Sequence, residues 1–186
     1  EMSNKYIYWW FKNLFTLNEI KKLNKKIKDN IVNKEDNASS ATKTAKVLVI
    51  NPSPIKELDK FFKFIYEFNK DNFGFDLYDY SLEKQNHVNY NKYSSRDKAE
   101  YQYHTDGTYS HHASDIKLTA ILNLSLNKYE GGDFYINPFG QEEVVDCIKT
   151  PGNLLIFPSW FLHKVTPVTK GERISLSTWI KGPKFK

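Results

Sequence analysis

One short run near the C-terminus, Arg173-Ile-Ser-Leu-Ser-Thr-Trp-Ile180, constrains this chain more than any other stretch. It alternates with a period of two, the repeat of an extended strand. Arg173, Ser175, Ser177 and Trp179 fall on one face, and Ile174, Leu176, Thr178 and Ile180 on the other. A planar guanidinium flanked by hydroxyls inside a barrel suits a dicarboxylate, because arginine grips carboxylates through two parallel hydrogen bonds. Taken alone, the same arginine reads as the exposed start of an edge strand. Its meaning depends on what lies upstream.

Upstream, strand-like runs at 75–80, 101–104, 117–126, 133–136, 143–148, 153–157 and 164–168 alternate with turn residues, and another short strand is expected at 47–50. Aromatic residues make up 16% of the chain and gather in these runs, which favours a sheet. Two helices are expected first. One spans 16–28, opened by a Thr16/Glu19 capping box with Phe15 stapled onto Ile20. The other spans 53–69, opened by Ser53 and Pro54 and striped by Ile55, Leu58, Phe61, Phe62, Ile65 and Phe68. The expected fold is α+β, mainly β: a double-stranded β-helix, the cupin-like jelly roll, braced by N-terminal helices. One domain is expected over 1–186, with 1–74 mainly helical support and 75–186 the jelly-roll core. The polar stretches 30–46 and 81–98 read as loops, the second as a lid over a pocket mouth. Thr169-Lys170-Gly171-Glu172 reads as a hairpin loop that brings the arginine strand back beside the strand following His163.

The net charge of +5 comes from lysines spread along the chain against 22 acids, so no basic stripe points to nucleic acid. A lone Cys147 excludes an internal disulfide and fits a reducing, cytoplasmic setting. Residues 6–11 are apolar but short and are followed by Lys12, unlike a secretory signal or a membrane span, so no membrane partner is expected.

His104-Thr105-Asp106 sets an imidazole and a carboxylate two residues apart, on the same side of an extended segment, and His163 offers a third ligand. Two histidines and a carboxylate on one face leave coordination positions open on a ferrous ion that must bind cosubstrate and oxygen. An isolated H-x-D is usually a solvated pair; its company gives this one weight. His111 and His112 lie in a turn-prone segment and read as lining the entrance, and His87 reads as solvated.

Together, YQYHTDG, LNKYEGGDFYI and TPGNLLIFPSWFLHKVTPVTKGERISLSTWI resemble the 2-oxoglutarate and iron(II)-dependent dioxygenases, specifically the prolyl 4-hydroxylase-like branch that includes PKHD-type hydroxylases. The resemblance covers residues 101–182. It implies His104, Asp106 and His163 as iron ligands and Arg173 as the grip on the distal carboxylate of 2-oxoglutarate. Ser175 or Ser177 would assist, and Trp179 would be the pocket aromatic. Members often carry a cosubstrate-binding tyrosine on the 118–126 strand; Ser125 stands near that place here, which leaves the contact to Tyr101 or Tyr103. The implied reaction couples decarboxylation of 2-oxoglutarate to succinate and CO2 with O2-dependent hydroxylation of a peptide, protein or small-molecule substrate, prolyl by analogy. Ascorbate is a candidate accessory reductant. A zinc hydrolase would give the arginine strand no role, and a non-catalytic jelly-roll binding module would need a degenerate metal site. A nucleic-acid demethylase of the same superfamily would carry a second arginine six residues beyond the first, where Trp179 stands.

Overall fold

A computed structural model describes residues 8–33, 42–79, 88–106 and 114–185. In chain order the elements are β1 (Trp9–Phe11), α1 (Leu17–Asp29), β2 (Ile31–Asn33), β3 (Lys46–Ile50), α2 (Glu57–Asp71), β4 (Val88–Ser94), β5 (Tyr101–His104), β6 (Ser114–Asn123), β7 (Glu130–Gly131), β8 (Phe134–Asn137), β9 (Glu143–Val144), β10 (Leu154–Pro158), β11 (Leu162–Val165), β12 (Val168–Lys170) and β13 (Glu172–Pro183). A seven-stranded sheet runs β1-β10-β6-β13-β4-β3-β2, a four-stranded sheet β5-β11-β8-β9, and a two-stranded ribbon β12-β7. Every ladder is antiparallel. This is the jelly roll that the strand pattern predicts.

Period-two alternation gives the large sheet two different faces. Leu118, Ala120, Leu122, Leu154, Ile156, Leu176 and Ile180 join a core with Ile20, Leu23 and Ile27 of α1 and Leu58, Phe61, Phe62 and Ile65 of α2. The intervening residues Tyr93, Ile121, Leu155 and Phe157 meet Phe134, Ile136 and Val165 of the smaller sheet in a second core. The site lies on that inner side.

The capping box of α1 forms as expected: Thr16 Oγ1 accepts from the Glu19 N–H at 3.3 Å, and Glu19 Oε2 accepts from the Thr16 N–H at 2.7 Å. Phe15 and Ile20 are both buried beneath it. α2 starts at Glu57, three residues later than the Ser53 cap predicts. Asn51 Oδ1 takes the Ser53 N–H at 3.0 Å, so Ser53 and Pro54 close a turn instead of a helix end.

Four further expectations are corrected. Residues 75–79 form no strand; the Asn69 side chain bonds both the N–H and the C=O of Phe75, doing locally what a ladder would do. The 143–148 run is a strand only over Glu143–Val144, then a 3-10 turn at Asp146–Lys149. Of the polar stretches, 34–41 and 81–87 lie outside the described residues, but 88–94 is β4, an interior strand between β3 and β13. Asn91 and Tyr93 on one of its faces line the site rather than meeting water, and Asn91 is 2% exposed. Finally, β13 does not run beside β11. β12 peels off to pair with β7, and Gly171 (φ 73°) turns the chain into the other sheet. Before residue 74, the helices α1 and α2 are accompanied by β1, β2 and β3, which join the large sheet.

Candidate metal centre and adjoining pocket

His104 at the end of β5 pairs directly with His163 in β11, and the Asp106 N–H donates to the Ser159 carbonyl at 2.9 Å. Two adjacent strands thus deliver all three side chains. Each imidazole is fixed from behind: His104 Nδ1 lies 2.8 Å from the Gln102 carbonyl and His163 Nδ1 2.8 Å from that of Phe161. A carbonyl only accepts, so both Nδ1 atoms carry hydrogen and both Nε2 atoms point inward. His104 Nε2 then lies 3.5 Å from Asp106 Oδ1 and His163 Nε2 3.3 Å from Oδ2. One ligand atom from each residue falls within 4.8 Å of the others.

Neutral imidazoles in that tautomer would face lone pairs against carboxylate oxygens. Either a second proton on each ring or a cation among the three atoms resolves the clash, and a ferrous ion with two imidazoles and a carboxylate is a matched donor set. Burial pushes the Asp106 carboxyl upward, but hydrogen bonds with His104 and His163, joined by Thr119 Oγ1 donating at 2.8 Å, hold it well below the usual carboxylate range. The Asp106 carboxyl is therefore ionised.

Behind the triad lies a pocket floored by β13, which Arg173, Ser175, Ser177 and Trp179 all line. Arg173 is 2% exposed, its Nη1 donates to Ser175 Oγ at 3.3 Å, and its buried Nε has no partner among the described residues. The guanidinium carbon lies 5.1 Å from the centroid of the Tyr93 ring. Burial drives the Tyr93 hydroxyl up to about 12, with Arg173 opposing, so it is a neutral donor. The Gly131-Gly132 turn makes room: a Cβ on Gly132 (φ 60°) would meet Arg173 Cδ at 3.1 Å and Val168 Cγ2 at 2.9 Å.

Among the other residues singled out from sequence, Tyr101 lines the pocket and stacks on His104, with ring centroids 3.4 Å apart. Tyr103 does not reach it; its hydroxyl bonds Glu142 and the Lys164 ammonium lies over its ring. The ladder explains why. Alternation from His104 turns Tyr103 away; His163 pairs with His104 but Val165 pairs with Tyr101, so β5 carries one extra residue, and this bulge brings Tyr101 onto the side of His104. Ser125 is buried outside the pocket, accepting from the Ile174 N–H at 2.9 Å and donating to the Ile174 carbonyl at 3.2 Å. His87, His111 and His112 lie outside the described residues. Sequence reasoning missed Tyr93, Asn91, Thr119 and Lys43, which also line the pocket. The first two had a signal in the alternation of Val88-Asn-Tyr-Asn-Lys-Tyr93.

A jelly roll with two histidines and a carboxylate converging beside a buried arginine defines the class of mononuclear, non-haem metal proteins built on this barrel. The sequence profile of the 2OG-Fe(II) oxygenase superfamily matches residues 88–181, half of the chain, and the chain belongs to that superfamily. A PKHD-type hydroxylase of Alteromonas mediterranea is 39% identical over 99 residues, which is 50% of this chain and 42% of that protein. The chain thus spans less than half the length of this curated relative. Two solved structures share the fold. A Pseudomonas putida prolyl-4-hydroxylase has TM-score 0.75 at 18% identity, covering 97% of this chain and 95% of that one. The viral collagen prolyl hydroxylase of Paramecium bursaria Chlorella virus-1, in its 2OG complex, has TM-score 0.72 at 18% identity, covering 98% and 99%. Among the described residues no helix is long and apolar enough to cross a membrane.

Proposed function

We propose that this chain is an Fe(II)- and 2-oxoglutarate-dependent hydroxylase of the prolyl 4-hydroxylase-like type, acting on a peptidyl or free amino-acid substrate. The observation that carries the reading is Arg173: a charged donor with an unpartnered Nε, buried on the same cavity as His104, Asp106 and His163. A buried unsatisfied guanidinium is costly unless a ligand completes it, and a carboxylate does so with matched geometry. The prolyl hydroxylase and PKHD-type names of the proteins it resembles support the substrate class.

In this reading His104, Asp106 and His163 hold the ferrous ion on one face. When bound, iron with 2-oxoglutarate supplies the oxidative decarboxylation and oxygen activation that the side chains cannot perform. Arg173, assisted by Ser175 and the Tyr93 hydroxyl, fixes the distal carboxylate and so orients the cosubstrate. Thr119 keeps the Asp106 carboxylate ionised and aimed. Trp179 and Phe134 wall the pocket, limiting water at the reacting end.

Adding iron(II) and then 2-oxoglutarate under anaerobic conditions is expected to give a weak visible charge-transfer band. Its absence from metal-loaded protein would overturn the proposal. Asp106→Ala is expected to abolish metal-dependent succinate formation. Proline-containing peptides and free proline, compared by mass spectrometry for the gain of one oxygen, assign the substrate.

A further inference from the structure

The cosubstrate reading uses Arg173 and the triad but leaves a second cation in the same cavity without a role. Lys43 lines the pocket from the segment before β3. Its backbone is tied down: Lys43 bridges Tyr101, the Gln102 N–H donates to the Thr42 carbonyl at 2.8 Å, and the Thr44 N–H donates to the Glu100 carbonyl at 3.1 Å. The ammonium donates to Asn91 Oδ1 at 3.1 Å and lies 4.5 Å from the Tyr101 ring centroid. Asn91 is itself held by its Nδ2 donating to Ser177 Oγ at 3.0 Å, which aims its carbonyl oxygen at the lysine.

Both partners are neutral, and among the described residues no carboxylate forms an ion pair with Lys43. Burial draws the ammonium down to about 8, the Asp106 charge opposing and that of Arg173 reinforcing. A cation held in such a place without a counter-charge is costly, and a ligand that brings the counter-charge removes the cost. The cosubstrate does not bring it. With neutral imidazoles, the ferrous ion, Asp106 and Arg173 together carry two positive charges, which the 2-oxoglutarate dianion balances. Lys43 is left as the surplus. Its position is next to the chemistry, since the Tyr101 ring that it approaches is stacked on His104.

Resting on the cosubstrate reading above, we propose that Lys43 binds a carboxylate of the primary substrate, so that the enzyme acts on molecules carrying that group close to the hydroxylated carbon. The carboxylate could belong to a free amino acid or to an acidic side chain, and the experiment separates the two. Two matched pairs serve as probes: a pool of free amino acids against the pool of their carboxamides, and acetylated, amidated tripeptides containing Asp or Glu against those with Asn or Gln. Each is incubated with iron(II), 2-oxoglutarate and air, and read by mass spectrometry for one added oxygen.

In one of the two pairs, wild-type protein is expected to oxidise the acidic members at least about tenfold faster, the factor that roughly 1.4 kcal/mol of differential binding gives. Lys43→Met is expected to bring the acid-to-amide ratio close to one, and Lys43→Arg to restore part of it. The anaerobic charge-transfer titration of Lys43→Met should give a 2-oxoglutarate affinity unlike that of Arg173→Ala and near that of wild type. It also shows that the variant is folded. A wild-type protein with a normal band but no acid preference in either pair overturns this proposal alone. So does a Lys43→Met protein that loses 2-oxoglutarate affinity as Arg173→Ala does, which would make Lys43 a cosubstrate ligand. A wild-type protein that forms no band removes the cosubstrate reading and this proposal with it.

Discussion

At position 173 the neighbours of a guanidinium are a serine hydroxyl and a tyrosine ring, with one nitrogen unpartnered, so its full hydrogen-bonding capacity is realised only with a guest. Charge-assisted hydrogen bonds contribute about 1.5–3 kcal/mol each. Arg173→Ala is accordingly expected to weaken 2-oxoglutarate binding by roughly 10- to 100-fold, measured by anaerobic titration of the charge-transfer band. Arg173→Lys should recover only part, because an ammonium cannot present the bidentate fork. An Arg173→Ala protein with unchanged affinity would remove the residue from the site. Arg173, His104 and Asp106 were legible in the sequence because short-range spacing sets their directions; His163 lies on a distant strand whose direction no local spacing sets. Tyr101 and Tyr103 were not told apart: alternation from His104 turns Tyr103 away, while Tyr101 reaches the site only through one extra residue in β5 that no residue type there announces. Lys43 and Tyr93 were hidden differently: their polar neighbourhoods look like solvent-exposed loops until the second sheet closes over them.

The element that holds the site together is β13, and its entry is clamped from the side by Ser125, which exchanges two hydrogen bonds with Ile174, the residue after Arg173. Ser125→Ala leaves the Ile174 N–H without that acceptor inside the fold. It is expected to cost about 1–3 kcal/mol in chemical denaturation. Thr16→Ala, which removes only the Thr16 side of the capping box of α1, should cost about 1 kcal/mol and leave metal binding unaltered. Equal effects on metal affinity from both variants would argue against a local role for the Ser125 clamp. α1 was readable because its cap, staple and stripe agree. The start of α2 was misplaced because Ser-Pro has two uses, and the Asn51 side chain, two residues before Ser53, selects the turn. β4 was misread for a reason intrinsic to enzymes of this architecture: a strand lining a polar cavity is polar on a face that is nonetheless buried.

At the scale of the whole molecule, the large sheet separates an apolar core under the helices from a second core that shares its layer with the metal triad. His104 and His163 come from the small sheet and Arg173 from the large one, so a metal ion and a cosubstrate held together would cross-link the two layers. Ligands that bind only the folded state stabilise it by mass action, about 2.7 kcal/mol at a hundredfold excess over Kd. In a chain of this length each kcal/mol raises the unfolding midpoint by about 2–4 °C. Manganese(II), which occupies such sites without reacting with oxygen, should therefore raise the midpoint by about 5–10 °C, and 2-oxoglutarate should add a further increment only when the metal is present. The variants divide the two steps. Asp106→Ala should lose the metal shift and the cosubstrate shift together, because in the proposed reading the cosubstrate would bind only where the metal is held. Arg173→Ala should keep the metal shift and lose most of the other, because the ion is held by the small sheet and Asp106 alone. A thermal scan in which 2-oxoglutarate stabilises the Asp106→Ala protein as much as the wild type would show that the two sheets bind their ligands independently, and the bridging role of the pocket would fall.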